Sequence, residues 1–412
     1  MQQGRAPHRA RRAPSPISAW RKLMFGLLTT LCALLGLELG ARAVDVQGPR
    51  WRGRAQGDLM VSHPTRLWAL APGAHRSGDA VARVGPDGLR GPALSAPGTG
   101  SGPRVLVLGD SSFFGHGVAE DQTLPAQLQR RLQLDGINAQ VQNFAVPGYS
   151  TVQGRALLDE QGWAAAPDLL LLGFLWSDNN IDGFRDADLL ATRRLLDDSR
   201  LSRSRAFLLL TSLVSHLRGE GGARVVSWTA SSAFPSKGQR RVPLVAYAQN
   251  LDAMARAAAQ RGVGVAFIAP VNQDMLGSAQ GGDKPVWDVY FQAQAVVAAH
   301  HGVPCIALAP AYSAAGTAPE SLFVDVMHPS AQGHQIGAGA VTAALRAAGW
   351  PAQRLVPAGG ALDLARLPAD PFVGAPLPHA HRSPQHELFG GTGAPDPTME
   401  RPAAGVDLHG RR

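Results

Sequence analysis

We expect no internal disulfide bond in the part of the chain that follows the N-terminal segment, because that part has a single cysteine. Cys32 and Cys305 are the only two cysteines in 412 residues, so a stable fold must depend on an ordinary hydrophobic core. Hydrophobic residues make up 45% of the chain, which is enough to form such a core. Cys305 lies in the strand-like stretch "PCIALA", where we expect a small buried side chain.

The sequence also lacks motifs that bind metals or nucleotides. Its cysteines, histidines and acidic residues form no group with metal-ligand spacing, so we expect no metal. The glycines of "GDSSFFGHG" follow a strand-like run, but the Gly-Lys-Ser/Thr ending of a phosphate loop and the spacing of a dinucleotide fingerprint are absent. We therefore expect no cofactor.

Outside its N-terminus the chain carries little net charge. The formal net charge is +8, of which residues 1–43 contribute +6 and the other 369 residues about +2. A protein that binds nucleic acid needs positive charge clustered on its folded part. This distribution predicts that the protein has no nucleic-acid partner.

An apolar stretch follows the basic N-terminus, from Leu23 to Leu37. This order is typical of a signal peptide or a membrane anchor within residues 1–43. A spanning helix needs roughly 20 apolar residues, and this stretch is shorter. Ala41–Ala43 resembles a small-x-small cleavage site, so both interpretations stay open. Either one places the rest of the chain in the cell envelope, anchored in the inner membrane and facing the periplasm, or secreted after cleavage.

The remaining chain divides into segments by composition. Residues 44–103 are rich in turn signals and predict an extended lead-in. Residues 104–350 alternate between strand and helix patterns, interrupted at 183–241 by an insertion that we expect near the mouth of the site, with a helix near 205–217. Residues 351–412 are dense in Pro and Gly and predict a disordered tail.

The alternating part predicts an α/β fold. Strands are expected at Val105–Leu108, Val141–Val146, Leu169–Phe174, Gly264–Ala269 and Cys305–Leu308, and helices at 122–134, 150–164, 244–261, 286–301 and 330–348. Strand-helix-strand order implies right-handed crossovers and parallel pairing. We therefore predict a three-layer α/β/α sandwich around a central, mainly parallel sheet of five strands.

The first strand leads into a loop with a candidate nucleophile. In "RVLVLGDSSFFGHGV", Ser111 follows the carboxyl end of a buried strand, where open α/β sheets place their chemistry. A serine hydroxyl needs a base and a group that orients the base. His328 in "LFVDVMHPSAQGH", with Asp325 three residues earlier, is the best candidate pair. Taken alone, this spacing also fits a helix-capping aspartate beside an unrelated histidine.

Four segments at strand ends or in the final loop share one order with a known family. They are "GDSSFFG", "NFAVPGYS", "GFLWSDNN" and "DVMHP", and together they resemble the SGNH (GDSL-type) hydrolase family. The lead-in "VGPDGLRGP" and the continuation "FGHGVAEDQTLPAQLQRRL" look like its membrane-associated bacterial members. The resemblance covers roughly residues 84–348.

This resemblance implies roles for individual residues. Ser111 would be the nucleophile, in preference to Ser112, whose side chain should point elsewhere. His328 would be the general base and then the acid, and Asp325 would orient it. The oxyanion hole would use the backbone N–H groups of Ser111 and Gly148 and a side chain from the third motif.

The third motif departs from the family pattern. The family has Asn-Asp at this point, whereas this chain reads Trp176-Ser177-Asp178-Asn179. If Asp178 aligns with the family aspartate, Ser177 offers a hydroxyl in place of the amide. With a small shift, Asn179 would reach the hole instead. The resemblance leaves both residues open as the third donor.

The resemblance also implies a reaction. It points to a serine esterase that hydrolyses carboxylic O-acyl esters, such as O-acetyl esters, through an acyl-Ser111 intermediate, with an envelope carbohydrate or lipid as the substrate. An O-acyltransferase would use the same three residues. The altered third motif also leaves open a catalytically weak module that binds or scaffolds in the envelope. His116 is expected to be an exposed histidine beside this site, and His334 to lie on the last helix.

Overall fold

The computed structural model describes residues 18–43, 59–96, 102–182, 185–198, 204–207, 209–210, 239–277 and 288–370. It divides the chain into two compact units. Residues 1–50 and 196–222 form one unit, and residues 51–195 and 223–412 form the other. The second unit contains the sheet predicted from the sequence.

We number the described strands and longer helices in chain order. The strands are β1 (Met60–His63), β2 (Leu67–Leu70), β3 (Gly73–Ser77), β4 (Ala80–Val84), β5 (Arg104–Gly109), β6 (Gln140–Asn143), β7 (Leu169–Gly173), β8 (Ile181–Asp182), β9 (Gln239–Arg240), β10 (Gly264–Ala269) and β11 (Cys305–Ala307). The helices are α1 (Ala19–Ala43), α2 (Ser111–Phe114), α3 (Leu124–Leu134), α4 (Thr151–Leu157), α5 (Trp176–Asn179), α6 (Asp186–Asp198), α7 (Leu244–Ala259), α8 (Gln273–Gly277), α9 (Asp288–His301), α10 (Ala309–Ser313) and α11 (Ala331–Ala347).

The central sheet has five parallel strands in the order β11-β10-β7-β5-β6. This confirms the predicted fold class. The runs "VLVL" in β5 and "LLLL" in β7 are buried along their whole length, because helices cover both faces of the sheet. The strand order reverses between β5 and β7, and such a switch point is where open α/β sheets bind their ligands.

Helices form the two outer layers. Helices α3 and α11 pack against each other in one layer, and α7 packs against α4 and α9 in the other. The N-terminus of α3 is capped by Thr123, whose hydroxyl accepts the Ala126 N–H, and Leu128 and Leu132 are buried. The predicted helix 150–164 is a continuous helical stretch, in which α4 is followed by a wider π-helical turn at Leu158–Gly162 and a 3₁₀ turn at Trp163–Ala165.

The lead-in is more ordered than its composition predicts. Its described part forms two hairpins, β1–β2 and β3–β4, followed by the turn at Pro86–Gly88. Trp68 and Leu89 are buried and belong to the main hydrophobic core. Short strands bounded by Gly and polar residues are hard to distinguish from a turn-rich linker in sequence. Residues 44–58 and 97–101 of the expected lead-in lie outside the described residues.

The first 20 residues of the expected disordered tail are ordered. Residues 351–370 lie against the domain: the Leu355 carbonyl accepts the Val265 N–H of β10, and the Ala358 N–H donates to His301. Leu362 packs on the core, but the sequence around it has no periodic pattern that would predict this contact. The rest of the expected tail, 371–412, lies outside the described residues.

Cys305 is exposed, contrary to expectation. It lies on β11, the edge strand of the sheet, where exposed and buried residues alternate. The predicted helix 205–217 is described only at 205–207 and 209–210, which are helical, and most of the insertion lies outside the described residues. In the first unit, α1 is long and apolar enough to cross a membrane, and an N-terminal signal sequence passes the same test.

Candidate active site

Ser111 is the first residue of α2 and follows β5 at the switch point of the sheet. Asp110 caps this single-turn helix by accepting the Ser112 N–H at 3.0 Å. The helix ends at Gly115, whose φ of 87° suits glycine. Phe113 lies over Gly173 at the end of β7, where an added Cβ would come within 2.4 Å of its ring. Packing against neighbouring strands therefore determines where the turn lies.

His328 and Asp325 lie in the loop that precedes α11. The His328 Nε2 atom is 2.8 Å from the Ser111 Oγ atom, and its Nδ1 atom is 2.7 Å from the Asp325 carboxylate. The other Asp325 oxygen accepts the backbone N–H groups of Met327 and His328 at 2.7 and 2.8 Å. The structure thus brings together three residues that the sequence separates by up to 217 positions.

The environment of Asp325 favours its charged form. Partial burial acts to raise its pKa, but the neighbouring His328 and the accepted hydrogen bonds outweigh burial and lower the pKa to about 2. The carboxylate therefore stays ionised across the pH range in which a histidine base is neutral. It holds the His328 ring with its Nε2 atom toward the serine.

Gly148 lies in the loop after β6. Its φ of 77° is left-handed, which explains the glycine at this position. Within the described residues, the backbone N–H groups of Gly148 and Ser111 donate to no other group. Such N–H groups are the donors that an oxyanion hole requires.

A buried ion pair holds the Gly148 loop, and sequence reasoning missed it. The Arg241 guanidinium donates to the Gly148 carbonyl at 3.0 Å and to the Asp186 carboxylate at 2.8 Å, and both side chains are at most 2% exposed. Asp186 also accepts the Ser150 hydroxyl at 2.6 Å. These two charged residues lie near the two ends of the expected insertion, 55 positions apart, so no local pattern could have indicated the pair.

The third motif forms the short helix α5. The Asn179 amide donates back to the start of this helix, where its nitrogen is 3.1 and 3.3 Å from the carbonyls of Leu175 and Trp176. The Ser177 side chain is 5% exposed, and its hydroxyl takes no part in the two hydrogen bonds of the Asn179 amide. Asp178 is turned the other way, toward α4, where it accepts the Thr151 N–H and hydroxyl. Burial raises the pKa of Asp178 to about 8.

Two further histidines lie near His328. His116 is buried rather than exposed as expected, because the lead-in covers it: Ser77 of β3 contacts its Nδ1 atom at 3.1 Å. The rings of His116 and His328 are 4.6 Å apart. Burial, together with the nearby His328, lowers the pKa of His116 to about 3, so this residue stays neutral at ordinary pH. His334 lies on α11 as predicted and is fully buried.

Among the described residues, two clusters of His and Asp side chains could hold a metal ion, because their ligand atoms lie within 4.8 Å of one another. The spacing of these residues in the sequence does not predict either cluster. They are His116, Asp325 and His328, and Asp252, His300 and His301. In the first cluster, both ring nitrogens of His328 are engaged by Asp325 and Ser111. In the second, both ring nitrogens of His301 are engaged by Ala358 and Asp252. In each cluster, the ring nitrogens of the central histidine therefore already take part in hydrogen bonds within the protein.

A comparison with family models finds one match, in the part of the chain that contains Ser111. Residues 107–289 match the GDSL-like Lipase/Acylhydrolase family. The matched range includes Ser111, Gly148 and the third motif, and it ends before Asp325 and His328. A comparison with curated proteins gives no match.

Several solved structures are similar over most of their length. An α/β hydrolase enzyme, LAE5, from the metagenome of Lake Arreo is 17% identical, with 59% of this chain and 95% of that chain covered and a TM-score of 0.40. The lipase/acylhydrolase from Enterococcus faecalis is 16% identical (60% and 96% covered, TM-score 0.38). The acetylxylan esterase Axe2 from Geobacillus stearothermophilus is 18% identical (61% and 96% covered, TM-score 0.40).

Proposed function

We propose that this chain, an ester-hydrolysing enzyme whose residues 107–289 match the GDSL-like lipase/acylhydrolase family, cleaves O-acyl esters through an acyl-Ser111 intermediate. The observation that carries the proposal is the hydrogen-bonded series from Asp325 to His328 and on to Ser111, with separations of 2.7 and 2.8 Å. A serine becomes a nucleophile when a base accepts its proton and a third group holds the base.

Acylation begins with attack of the Ser111 Oγ atom on the ester carbonyl carbon. The hydroxyl proton passes to the His328 Nε2 atom, and Asp325 stabilises the imidazolium that forms. When the tetrahedral intermediate collapses, the ester C–O bond breaks and His328 returns its proton to the departing alcohol. The acyl group then remains on Ser111.

The oxyanion of this intermediate lies between two backbone donors. The N–H groups of Ser111 and Gly148 supply them, and we assign the third donor to the Ser177 hydroxyl, because the Asn179 amide is used within α5. Removing one such donor typically lowers the rate by about 10²–10³-fold. The Arg241 contact to the Gly148 carbonyl holds the peptide group that follows, and so restricts the loop that carries the Gly148 N–H.

Deacylation repeats these steps with water. His328 takes a proton from the water, the hydroxide attacks the acyl carbon, and the carboxylic acid leaves as the Ser111 oxygen regains the proton. A substrate in the cell envelope, an O-acylated carbohydrate or lipid, is supported by the N-terminal helix α1, which is long and apolar enough for a membrane anchor or a signal sequence. A sugar hydroxyl in place of water would make the same steps an acyl transfer.

Active-site labelling tests the proposal. The full-length chain in detergent is treated with a fluorophosphonate and digested, and the modified peptide is identified by mass spectrometry. We expect one adduct, on Ser111, that disappears in Ser111→Ala and persists in the neighbouring control Ser112→Ala. The same preparations are assayed with p-nitrophenyl acetate and longer acyl esters. Folded wild-type protein that gives neither an adduct nor turnover would refute the proposal and favour a binding module.

Product analysis then separates hydrolysis from transfer. The acyl donor is supplied with and without a carbohydrate acceptor, and free acid and acylated acceptor are measured together. Free acid as the main product in both reactions is expected for an esterase. Acyl transfer that suppresses the free acid would instead identify an O-acyltransferase.

A further inference from the structure

One side chain of the lead-in reaches the loop that carries Ser111, although the lead-in lies outside the matched range 107–289. Arg90 follows the Pro86–Gly88 turn and forms an antiparallel bridge with Asn143 at the edge strand β6. The Arg90 side chain is fully buried. A buried arginine is rare unless acceptors surround it, so its partners indicate its role.

The Arg90 guanidinium binds the C-terminal end of α2 and the residues that follow it. Its Nη1 atom donates to the carbonyls of Phe114 and Gly115 at 2.8 and 2.6 Å, and its Nη2 atom donates to that of Val118 at 2.7 Å. Its Nε atom donates to the Glu120 carboxylate at 2.9 Å. The guanidinium carbon lies 4.7 Å from the centre of the Phe114 ring.

These contacts bear on Ser111 because α2 is a single turn. Ser111 is its first residue, and the N–H groups of Gly115 and His116 donate back to the Ser111 carbonyl at 3.2 and 3.3 Å. The two ends of the turn are therefore coupled, and a shift at the Gly115 end moves the Ser111 hydroxyl relative to His328. Asn143 adds one further donor, to the Phe114 carbonyl at 3.2 Å.

We propose that Arg90 is a positioning residue for the nucleophile: by holding the carbonyls of residues 114, 115 and 118, it keeps Ser111 within hydrogen-bond reach of His328. This inference rests on the proposed function of Ser111. The fork of an arginine supplies donors in several directions at once, whereas a lysine ammonium is a single point. The lead-in is thus part of the machinery that makes Ser111 reactive.

The test compares Arg90→Lys with a matched variant, Arg104→Lys, in the full-length chain. Arg104 is also a buried arginine that donates to backbone carbonyls, those of Ala165 and Ser95, but it lies at the opposite end of β5 from Ser111. Three quantities are measured for each variant: the melting temperature, the rate of fluorophosphonate labelling of Ser111, and kcat and KM for p-nitrophenyl acetate.

We expect both variants to lose stability but only Arg90→Lys to lose reactivity. A displacement of about 1 Å in a reacting group lowers the rate by about 100-fold, so labelling and kcat should fall by that order while KM changes little. In Arg90→Ala, added guanidinium ion at non-denaturing concentration should restore part of the labelling rate, and ammonium ion should not.

If Arg90→Lys and Arg104→Lys lose equal stability, and Ser111 in Arg90→Lys is labelled at the wild-type rate, the positioning role is overturned. The proposed function then remains intact. If both Arg90 variants fail to fold, Glu120→Gln decides the question, because it removes the charged partner of Arg90 at a partly exposed site. Slower labelling is then expected, and unchanged labelling refutes the role. A folded wild-type protein that is not labelled overturns the proposed function, and the positioning role with it.

Discussion

Replacing Asp325 by Asn tests whether the imidazole of His328 acts as the base. One Asp325 oxygen accepts the backbone N–H groups of Met327 and His328 at 2.7 and 2.8 Å, and the other faces the His328 Nδ1 atom at 2.7 Å. An asparagine at this position keeps its carbonyl oxygen on the two backbone donors. Its NH₂ group then faces Nδ1, because only the amide nitrogen remains for that side.

This exchange reverses the tautomer of His328. A donor facing Nδ1 requires a lone pair there, so the ring proton moves to Nε2, 2.8 Å from the Ser111 oxygen. A protonated Nε2 cannot accept the hydroxyl proton. The analogous change in a serine protease triad lowers kcat by about 10⁴-fold, which corresponds to about 5.5 kcal/mol of transition-state stabilisation. We expect an effect of that order in Asp325→Asn.

The assay measures kcat with p-nitrophenyl acetate and the rate of Ser111 labelling, at a pH where wild-type activity is maximal. The control is Asp168→Asn. Asp168 also accepts a backbone N–H, that of Arg104, at 2.8 Å. It precedes β7, at the opposite end of the sheet from Ser111. Retention of more than about a tenth of wild-type activity in Asp325→Asn would refute the tautomer argument.

The same variant has a defined effect on stability. The folded-state pKa of Asp325, about 2, lies below its ordinary value of 3.8, so the carboxylate stabilises the fold above pH 3.8 and this contribution is lost as pH falls toward 2. The side chain is 34% exposed, and solvent screening reduces the contribution to about 1 kcal/mol. The stability difference between wild type and Asp325→Asn should therefore vanish in acid, as measured by urea unfolding at several pH values.

Further predictions concern the oxyanion hole, a buried histidine and the packing of the nucleophile turn. Ser177→Ala should lower kcat by about 10²-fold and Asn179→Ala by much less, and the reverse order would assign the third donor to Asn179. Within the part of the chain that the structure describes, both ring nitrogens of His334 are buried and have no hydrogen-bond partner, so His334→Leu should raise the free energy of unfolding by about 1–3 kcal/mol at pH 8. Burial lowers the folded-state pKa of His334 to about 3 from an ordinary 6.5, so between these values the unfolded state binds more protons and wild type loses stability as pH falls. The advantage of His334→Leu should then grow by about 1.4 kcal/mol per pH unit below 6.5, and a constant difference in urea unfolding at pH 5 and 8 would contradict this. Gly173→Ala places a Cβ 2.4 Å from the Phe113 ring and should cost about 1–3 kcal/mol and slow Ser111 labelling, whereas an unchanged melting temperature would show that the ring has room to move.

Local patterns in the sequence were sufficient to predict the strands of the sheet and the loop that carries Ser111. Continuous apolar runs predict strands buried on both faces, and their alternation with helix patterns predicts parallel order. Ser111 could be singled out because a strand, a turn and a helix follow one another within a few residues. The Asp325–His328 pair could be singled out because both residues lie in one loop.

Local patterns failed where a side chain depends on distant partners. Cys305 looks buried in its own segment, yet it lies on an edge strand that only the strand order defines. His116 looks exposed between two glycines, yet the lead-in hairpin covers it. Residues 351–370 look like a disordered tail, yet single apolar residues in them pack on the core.

The sequence by itself determined the class of fold and the residue types available for chemistry, because both follow from periodicity and short motifs within one segment. Only the tertiary structure decided how those residues are held. The contacts of Arg90 to the nucleophile turn and of Arg241 to the Gly148 loop join positions 24 to 93 residues apart. Hydrogen bonds of this kind depend on where the chain returns in space, and a linear pattern contains no record of that.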